Sequence, residues 1–319
     1  MKKRTMMLLA ILCCVLLLGS LFGGLRVLEH PVQAAETESK TLIRDGVRYF
    51  PRQDINVVMV LGIDQYGPMV SSNASRNPGA ADTVMLLIFD ETEQVSRVLT
   101  LNRDTMVDMD VLGDKGEVAG TEYGQLALAY SYGTGLQDSC ANVKNTLEKY
   151  LKGLTVDHYL AMNMDALPIV NDAVGGVTVT VREDFSQLDS EIPMGEHTLR
   201  GQETITFVQP RNTQDGRNAE TRLERQQEYV IAFLDAMARE NKANAGFLRQ
   251  LLEEAGPYLL TDCSAVTLQD MLERYADYPL AEVLTLPGES TLEAGEYRFQ
   301  ADPEALDETV LELFYAPKN

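Results

Sequence analysis

A chain of 319 residues with a formal charge of −21 is long enough for one large or two ordinary domains with a full core. Its 48 acidic against 27 basic residues exclude general attraction to nucleic acid or anionic lipid headgroups, so an anionic ligand needs a few focused arginines. No CxxC or HExxH spacing occurs, and His30, His158 and His197 are scattered, so the histidines read as incidental and zinc chemistry is not expected.

Lys2-Lys3-Arg4 precedes an uncharged, Leu-rich stretch from Thr5 to Leu25, long enough for a helix to cross a bilayer. The basic flank assigns residues 1–4 to the cytoplasm and everything after Arg26 to the outside. The competing reading is a cleaved signal peptide, for which Val32-Gln33-Ala34 offers a small-residue site. The apolar stretch is longer than a usual signal core and ends well before that site, which favours a retained single-pass anchor in the cell membrane. Cys13 and Cys14 lie within the stretch. Cys140 and Cys263 remain outside, where a disulfide is allowed but spacing alone cannot pair them. Residues 26–54 are polar and mixed in charge, with Pro31 and Pro51, and read as a stalk below an extracytoplasmic domain at 55–319.

Ile55 to Leu61 is an apolar β-type run that ends in Gly62-Ile63-Asp64. Gln65 to Ala81 is rich in Gly, Pro, Ser and Asn and is read as a long loop. Thr83 to Phe89 follows directly after Asp82, and Met85 to Phe89 is apolar throughout, as in a strand covered on both faces. A turn at Asp90 to Glu93 leads into the alternating run Val95 to Leu101, then Asn102-Arg103-Asp104-Thr105. Asp110 to Glu122 is polar and Gly-rich. Helical spacing marks Leu126 to Tyr130 and Ser139 to Leu151, with Gly153 as a stop. Strands are expected at Val156 to Met162 and Val177 to Val181, on either side of a short helix at Asp165 to Ala173. The pattern Leu223, Val230, Phe233, Leu234, Met237 predicts a helix from about Thr221 to Ala238. Further helices are expected at Phe247–Leu252, Val266–Tyr275 and Pro303–Tyr315, and strands at Val283–Leu286 and Tyr297–Gln300. Alternating helices and strands argue a three-layer α/β domain.

Two stretches carry chemistry. If the three leading strands lie side by side, Asp64, Asp82 and Arg103-Asp104 gather at one sheet edge. Carboxylates beside a guanidinium suit a magnesium-bound phosphate, because metal and arginine both neutralise anionic oxygens. The plainer alternative makes Arg103 and Asp104 a turn ion pair and Asp82 a cap. The second stretch runs from Gln209-Pro210-Arg211 to Arg222 through Gln226. There Arg222, Arg225, Gln226 and Tyr229 share a helical face, and arginines in a first turn oppose the macrodipole unless an anion binds. The alternative is a solvated face balanced by Glu220, Glu224 and Glu228.

In order and spacing, Leu61-Gly62-Ile63-Asp64, Asp82-Thr83, Arg103-Asp104-Thr105, Val174-Gly175-Gly176-Val177 and Arg222 to Gln226 resemble the LytR-CpsA-Psr family of cell-envelope proteins. The resemblance runs from about Ile55 to Tyr315. It implies an α/β/α sandwich on a central mixed sheet and a transferase that moves an anionic glycopolymer from a polyprenyl pyrophosphate carrier to peptidoglycan, with Mg2+ as cofactor. By position, Asp64 and Asp82 resemble the metal-side carboxylates, one of which can also activate the acceptor hydroxyl. Arg103, Arg211, Arg222 and Gln226 resemble the pyrophosphate contacts, with Arg225 beside them. The family's prenyl chain implies a long apolar cavity between Thr83–Phe89 and flanking helices that include Tyr229–Met237. Family arginines are replaced here by Tyr66 and by Ala80-Ala81, a paired arginine of the later loop is Gln209, and an acidic position is Ala219. Arg76 and Arg217 are the residues available to compensate. Two other functions use the same residues: hydrolysis of the carrier pyrophosphate, and non-catalytic binding of the carrier as a regulator or scaffold.

Overall fold

The structure, a computed structural model, describes residues 41–72, 76–113, 115–186, 188, 191–209 and 218–317. The expected anchor at 5–25 lies outside the described residues, among which no helix is long and apolar enough to cross a membrane.

The chain opens with β1 (Leu42–Arg44) and β2 (Val47–Pro51), then β3 (Ile55–Ile63), β4 (Ala81–Asp90) and β5 (Val95–Leu101). A hairpin of β6 (Met106–Leu112) and β7 (Val118–Gln125) leads to α1 (Leu128–Ser131) and α2 (Gln137–Tyr150). Next come β8 (His158–Asn163), α3 (Ala166–Ala173), β9 (Val177–Val181), β10 (Gly195–Leu199) and α4 (Gln202–Val208). The long α5 (Asn218–Ala243) is followed by α6 (Phe247–Ala255), β11 (Leu259–Thr261) and α7 (Ala265–Tyr275). The chain closes with β12 (Leu280–Thr285), β13 (Gly288–Glu293), β14 (Glu296–Ala301), α8 (Pro303–Phe314) and β15 (Tyr315–Pro317).

Six strands form a mixed sheet in the order β11-β8-β3-β4-β5-β12. The β3–β4, β4–β5 and β8–β11 pairs are antiparallel; β3–β8 and β5–β12 are parallel. Strand side chains alternate between faces, and here both faces are covered. Val57, Met59, Leu61 and Ile63 of β3 meet Val143 and Leu147 of α2 and Val310 and Phe314 of α8. Val58 and Val60, with Met85, Leu87 and Val98, turn the other way toward Val230 and Leu234 of α5 and Met271 of α7. A satellite core joins β9 and β10 to α3, α4, α5 and α6.

One expectation needs correction, and further strands are added to those expected. Residues 42–51 are not stalk: β1 and β2 form a small sheet with β15, so the fold starts at Leu42 rather than Ile55. Polar composition hid this pairing, because the partner strand is the last one in the chain. The segment Asp110 to Glu122 lies within the β6–β7 hairpin, whose second strand is exposed and so lacks an apolar alternation. Gly195–Leu199 and Gly288–Glu293 are further strands that sequence reading passed over for the same reason.

Candidate active site

Two aspartates are set by one irregularity. β3 and β4 pair without a break from Ile55↔Asp90 to Gly62↔Thr83, but Ile63 then pairs with Ala81, leaving Asp82 as the extra residue of a bulge. Ala81 and Val84 therefore both stay in the α2-side core, while Asp82 and Thr83, consecutive in sequence, both face the opposite side. The Ala80 carbonyl accepts from the Asp64 N–H (2.9 Å) and the Asp82 N–H (3.1 Å), so both carboxylate-bearing residues hang from one peptide. Gly62 lets the strands approach closely: a Cβ there would lie 3.0 Å from Thr83 Cβ, and Thr83 would have to give by a few tenths of an ångström.

Arg103 follows β5 in a turn shaped by Asn102, whose side chain accepts from the Asp104 N–H at 2.9 Å and whose carbonyl accepts from the Thr105 hydroxyl at 2.6 Å. Its Nη1 donates to Asp82 Oδ1, and its Nε faces Asp104 Oδ1 at 3.4 Å. Asp104 is buried and also accepts from Gln125 Nε2 at 3.1 Å, which in turn donates to the Tyr297 carbonyl at 2.7 Å. The turn ion pair and the sheet-edge cluster are thus both present. Asp104 braces Arg103 from behind while Asp82 engages it in front. The Asp64 carboxyl is held above the ordinary aspartate range, first because the site removes water from it and then by the Asp82 charge; Arg103 and Arg222 pull it back down.

Behind Asp64 and Asp82 a cavity of about 610 Å³ runs between the sheet and the helices. Val58, Val60, Leu87 and Val98 form its floor, and Val230, Leu234, Met237 and Met271 its roof. Arg222, Gln226 and Gln209 join Asp64, Asp82 and Thr83 in its lining, and Phe89 and Tyr275, stacked at 4.2 Å, close over the lining at the other end of β4. This is the space expected between Thr83–Phe89 and Tyr229–Met237, and it is not filled by side chains. Sequence reasoning did not single out Tyr275, whose ring partner lies far away in the chain.

The expected arc on α5 divides. At about 100° per residue, Arg222, Gln226 and Tyr229 stay within one stripe and line the cavity, whereas Arg225 falls to its edge. Arg225 is buried against the β9–β10 layer. Its Nε donates to the Phe207 carbonyl at 2.7 Å, its Nη1 to Glu183 at 2.6 Å, and its guanidinium lies 5.5 Å over the Phe185 ring. Arg225 does not line the cavity, and the contacts it makes brace α5 against the β9–β10 layer. Arg76 is exposed, 4.9 Å over the Tyr132 ring, and does not line the cavity. Arg211 and Arg217 lie outside the described residues. Cys140 and Cys263 are free thiols, the first buried.

An α/β domain with an apolar cavity, paired aspartates and an arginine at one end of it defines the class of protein. The sequence profile of the LytR_cpsA_psr family matches residues 29–314, and the chain belongs to that family. It is 27% identical over 272 residues to the polyisoprenyl-teichoic acid–peptidoglycan teichoic acid transferase TagU of Halalkalibacterium halodurans, covering 83% of this chain and 79% of that protein. Against TagU of Bacillus subtilis it is 25% identical, covering 98% and 96%. The solved structure of TagT bound to LI-WTA superposes with a TM-score of 0.62 at 23% identity, over 82% of this chain and 90% of that one, and shares the fold.

Proposed function

We propose that the chain transfers an anionic glycopolymer from a polyprenyl pyrophosphate carrier to peptidoglycan, at the outer face of the cell membrane and held there by the 5–25 anchor. The observation that carries this reading is the apolar cavity ending at Asp64, Asp82 and Arg222, with Arg103 one carboxylate away. The names of the TagU relatives support the polymer and the acceptor.

Each part has a physical task. The cavity takes the prenyl chain, whose burial is worth about 25 cal/mol per Å². Arg103, Arg211 and Arg222 neutralise the pyrophosphate oxygens, with Gln226 donating beside them. The acceptor hydroxyl attacks the polymer-side phosphorus, the bond to the carrier-side phosphate breaks, and the carrier leaves as polyprenyl phosphate. One of the two aspartates takes the proton from the hydroxyl; Asp64, whose carboxyl is raised by lost water and the Asp82 charge, is assigned that task. Asp64 and Asp82 also fit Mg2+: both are hard oxygen donors, and the repulsion between them is what a cation relieves. When bound, the metal supplies charge neutralisation on the pyrophosphate.

The test is product analysis with a labelled lipid-linked polymer and a glycan acceptor. Polymer joined to glycan supports transfer. Free polymer with no glycan adduct makes the protein a carrier-pyrophosphate hydrolase, and binding without turnover makes it a carrier-binding scaffold.

A further inference from the structure

We propose that His158, Asp262 and Cys263 form a zinc site that staples the edge of the central sheet beside the cavity. β11 is only three residues long and pairs antiparallel with β8 through Leu259↔Met162, Leu260↔Ala161 and Thr261↔Leu160. Continuing that register sets Asp262 opposite Tyr159 and Cys263 opposite His158. Side chains take over where the ladder stops: the Tyr159 N–H donates to Asp262 Oδ1 at 3.0 Å, and the Cys263 N–H to Thr261 Oγ1 at 3.0 Å.

The donor atoms converge. His158 Nδ1 is 3.5 Å and Cys263 Sγ 3.8 Å from the same Asp262 oxygen, and the three donor atoms lie within 4.8 Å of one another. Zinc bonds of about 2.0–2.3 Å at tetrahedral angles put neighbouring ligand atoms roughly 3.3–3.6 Å apart. A bound ion would therefore draw the two short separations inward by only a few tenths of an ångström. Imidazole, carboxylate and thiolate together select zinc over magnesium, and three protein ligands leave a fourth position for water. Cys263 binds as thiolate and gives its proton to solvent. Among the described residues this is the only group of three such ligands. More than a hundred residues separate His158 from the adjacent pair Asp262-Cys263, which is why no motif spacing reveals the site. The side chains of His158 and Asp262 are about one-third exposed (29% and 31%), so an ion can enter from solvent.

The site's position gives it a consequence. Cys263 lines the cavity, and the next residue, Ser264, caps α7 by accepting from the Thr267 N–H at 3.1 Å. Met271 and Leu272 of that helix also line the cavity. An ion bound at these three residues ties β8 and β11 to the start of α7 and so stiffens one wall.

The experiment is a titration of the full-length chain in detergent, stripped by chelator and held in excess magnesium, with Zn(II) against a chromogenic competitor. One equivalent is expected, with a rise in Tm. Co(II) in its place should give the near-ultraviolet charge-transfer band of a thiolate ligand. Cys263→Ser and His158→Gln should each weaken zinc binding by about tenfold or more, while Cys140→Ser and Asp64→Asn leave it unchanged. No uptake in the presence of magnesium, uptake that survives Cys263→Ser, or a cobalt complex without the thiolate band would overturn the proposal and leave a hydrogen-bonded cluster only.

Discussion

Arg103 and Asp82 touch each other, yet their substitution should not read out alike. If Arg103 contacts phosphate as proposed, Arg103→Ala should lower turnover by roughly 10²–10³-fold, comparable to losing one preorganised transition-state donor. Arg103→Lys should recover only part of it, lacking the planar fork. Asp82→Ala should raise the magnesium requirement and cut turnover while the fold persists. Melting temperature and magnesium-dependent transfer on the two variants separate these roles from bracing; lowered stability with an unchanged magnesium response would make Asp82 a scaffold residue. Asp64 gives a different sign. Its carboxyl is held above the unfolded value, so its ionised form is disfavoured in the native state and costs stability above that pH. Asp64 is exposed, so without divalent metal Asp64→Asn should raise Tm at neutral pH only slightly, while abolishing transfer. A loss of stability in Asp64→Asn would refute the electrostatic account.

Helix α5 separates what a sequence can disclose from what it cannot. Its apolar spacing announced a helix, and its 3.6-residue period grouped Arg222, Arg225, Gln226 and Tyr229. The period does not say that two different neighbours, the cavity and the β9–β10 layer, divide that face between them; Glu183 and the Phe207 carbonyl come from elsewhere in the chain. The same limit hid the bulge. Asp82 was legible as a polar residue before a strand, but its aim depends on a register slip that only pairing with β3 defines. Arg225→Ala should cost on the order of 3 kcal/mol of stability, because the buried guanidinium's ion pair with Glu183, its hydrogen bond to the Phe207 carbonyl and its packing on Phe185 are lost. Arg222→Ala should instead lower carrier affinity with the smaller effect on Tm; denaturant melts beside binding assays read the contrast. The cavity can be probed in the same way. Val230→Trp adds bulk where the structure has space, so Tm should hold or rise while binding of a long-chain prenyl phosphate is lost. A loss of stability of the size that overpacking brings, about 1–3 kcal/mol, would mean the space belongs to the core.

At the scale of the whole molecule, the two ends of the fold depend on each other. β15 pairs with β2 through Tyr315↔Pro51, Ala316↔Phe50 and Pro317↔Tyr49, and the Arg52 N–H donates to the Phe314 carbonyl at 2.9 Å. Arg52 then reaches Asp54 at 2.7 Å and the fully buried Asp90 at 2.8 Å, and Arg97 holds Asp90 from the other side at 3.1 Å. Burial opposes the charge on Asp90, but the Glu93 N–H, Arg52 and Arg97 outweigh it and hold its carboxyl below the usual range. The Arg52 hydrogen bond does the same, first among its causes, for Asp54. A depressed carboxylate stabilises the native state above its unfolded value, and that contribution is lost as pH falls through the depressed one. A fragment beginning at residue 55 lacks β1, β2, Arg52 and Asp54, whereas one beginning at 41 keeps all four. The longer fragment should melt cooperatively near the temperature of the intact domain. The shorter should lose on the order of 3 kcal/mol or more, since a buried carboxylate loses one of its two arginines and β15 its strand neighbour. Its acid-unfolding midpoint should also move to higher pH, because Asp90, with one arginine removed, protonates sooner. Arg52→Ala in the longer fragment isolates the electrostatic part: it should reproduce the shift in acid midpoint while keeping most of the strand pairing. Equal acid midpoints for the two fragments would show that residues 42–54 contribute packing alone.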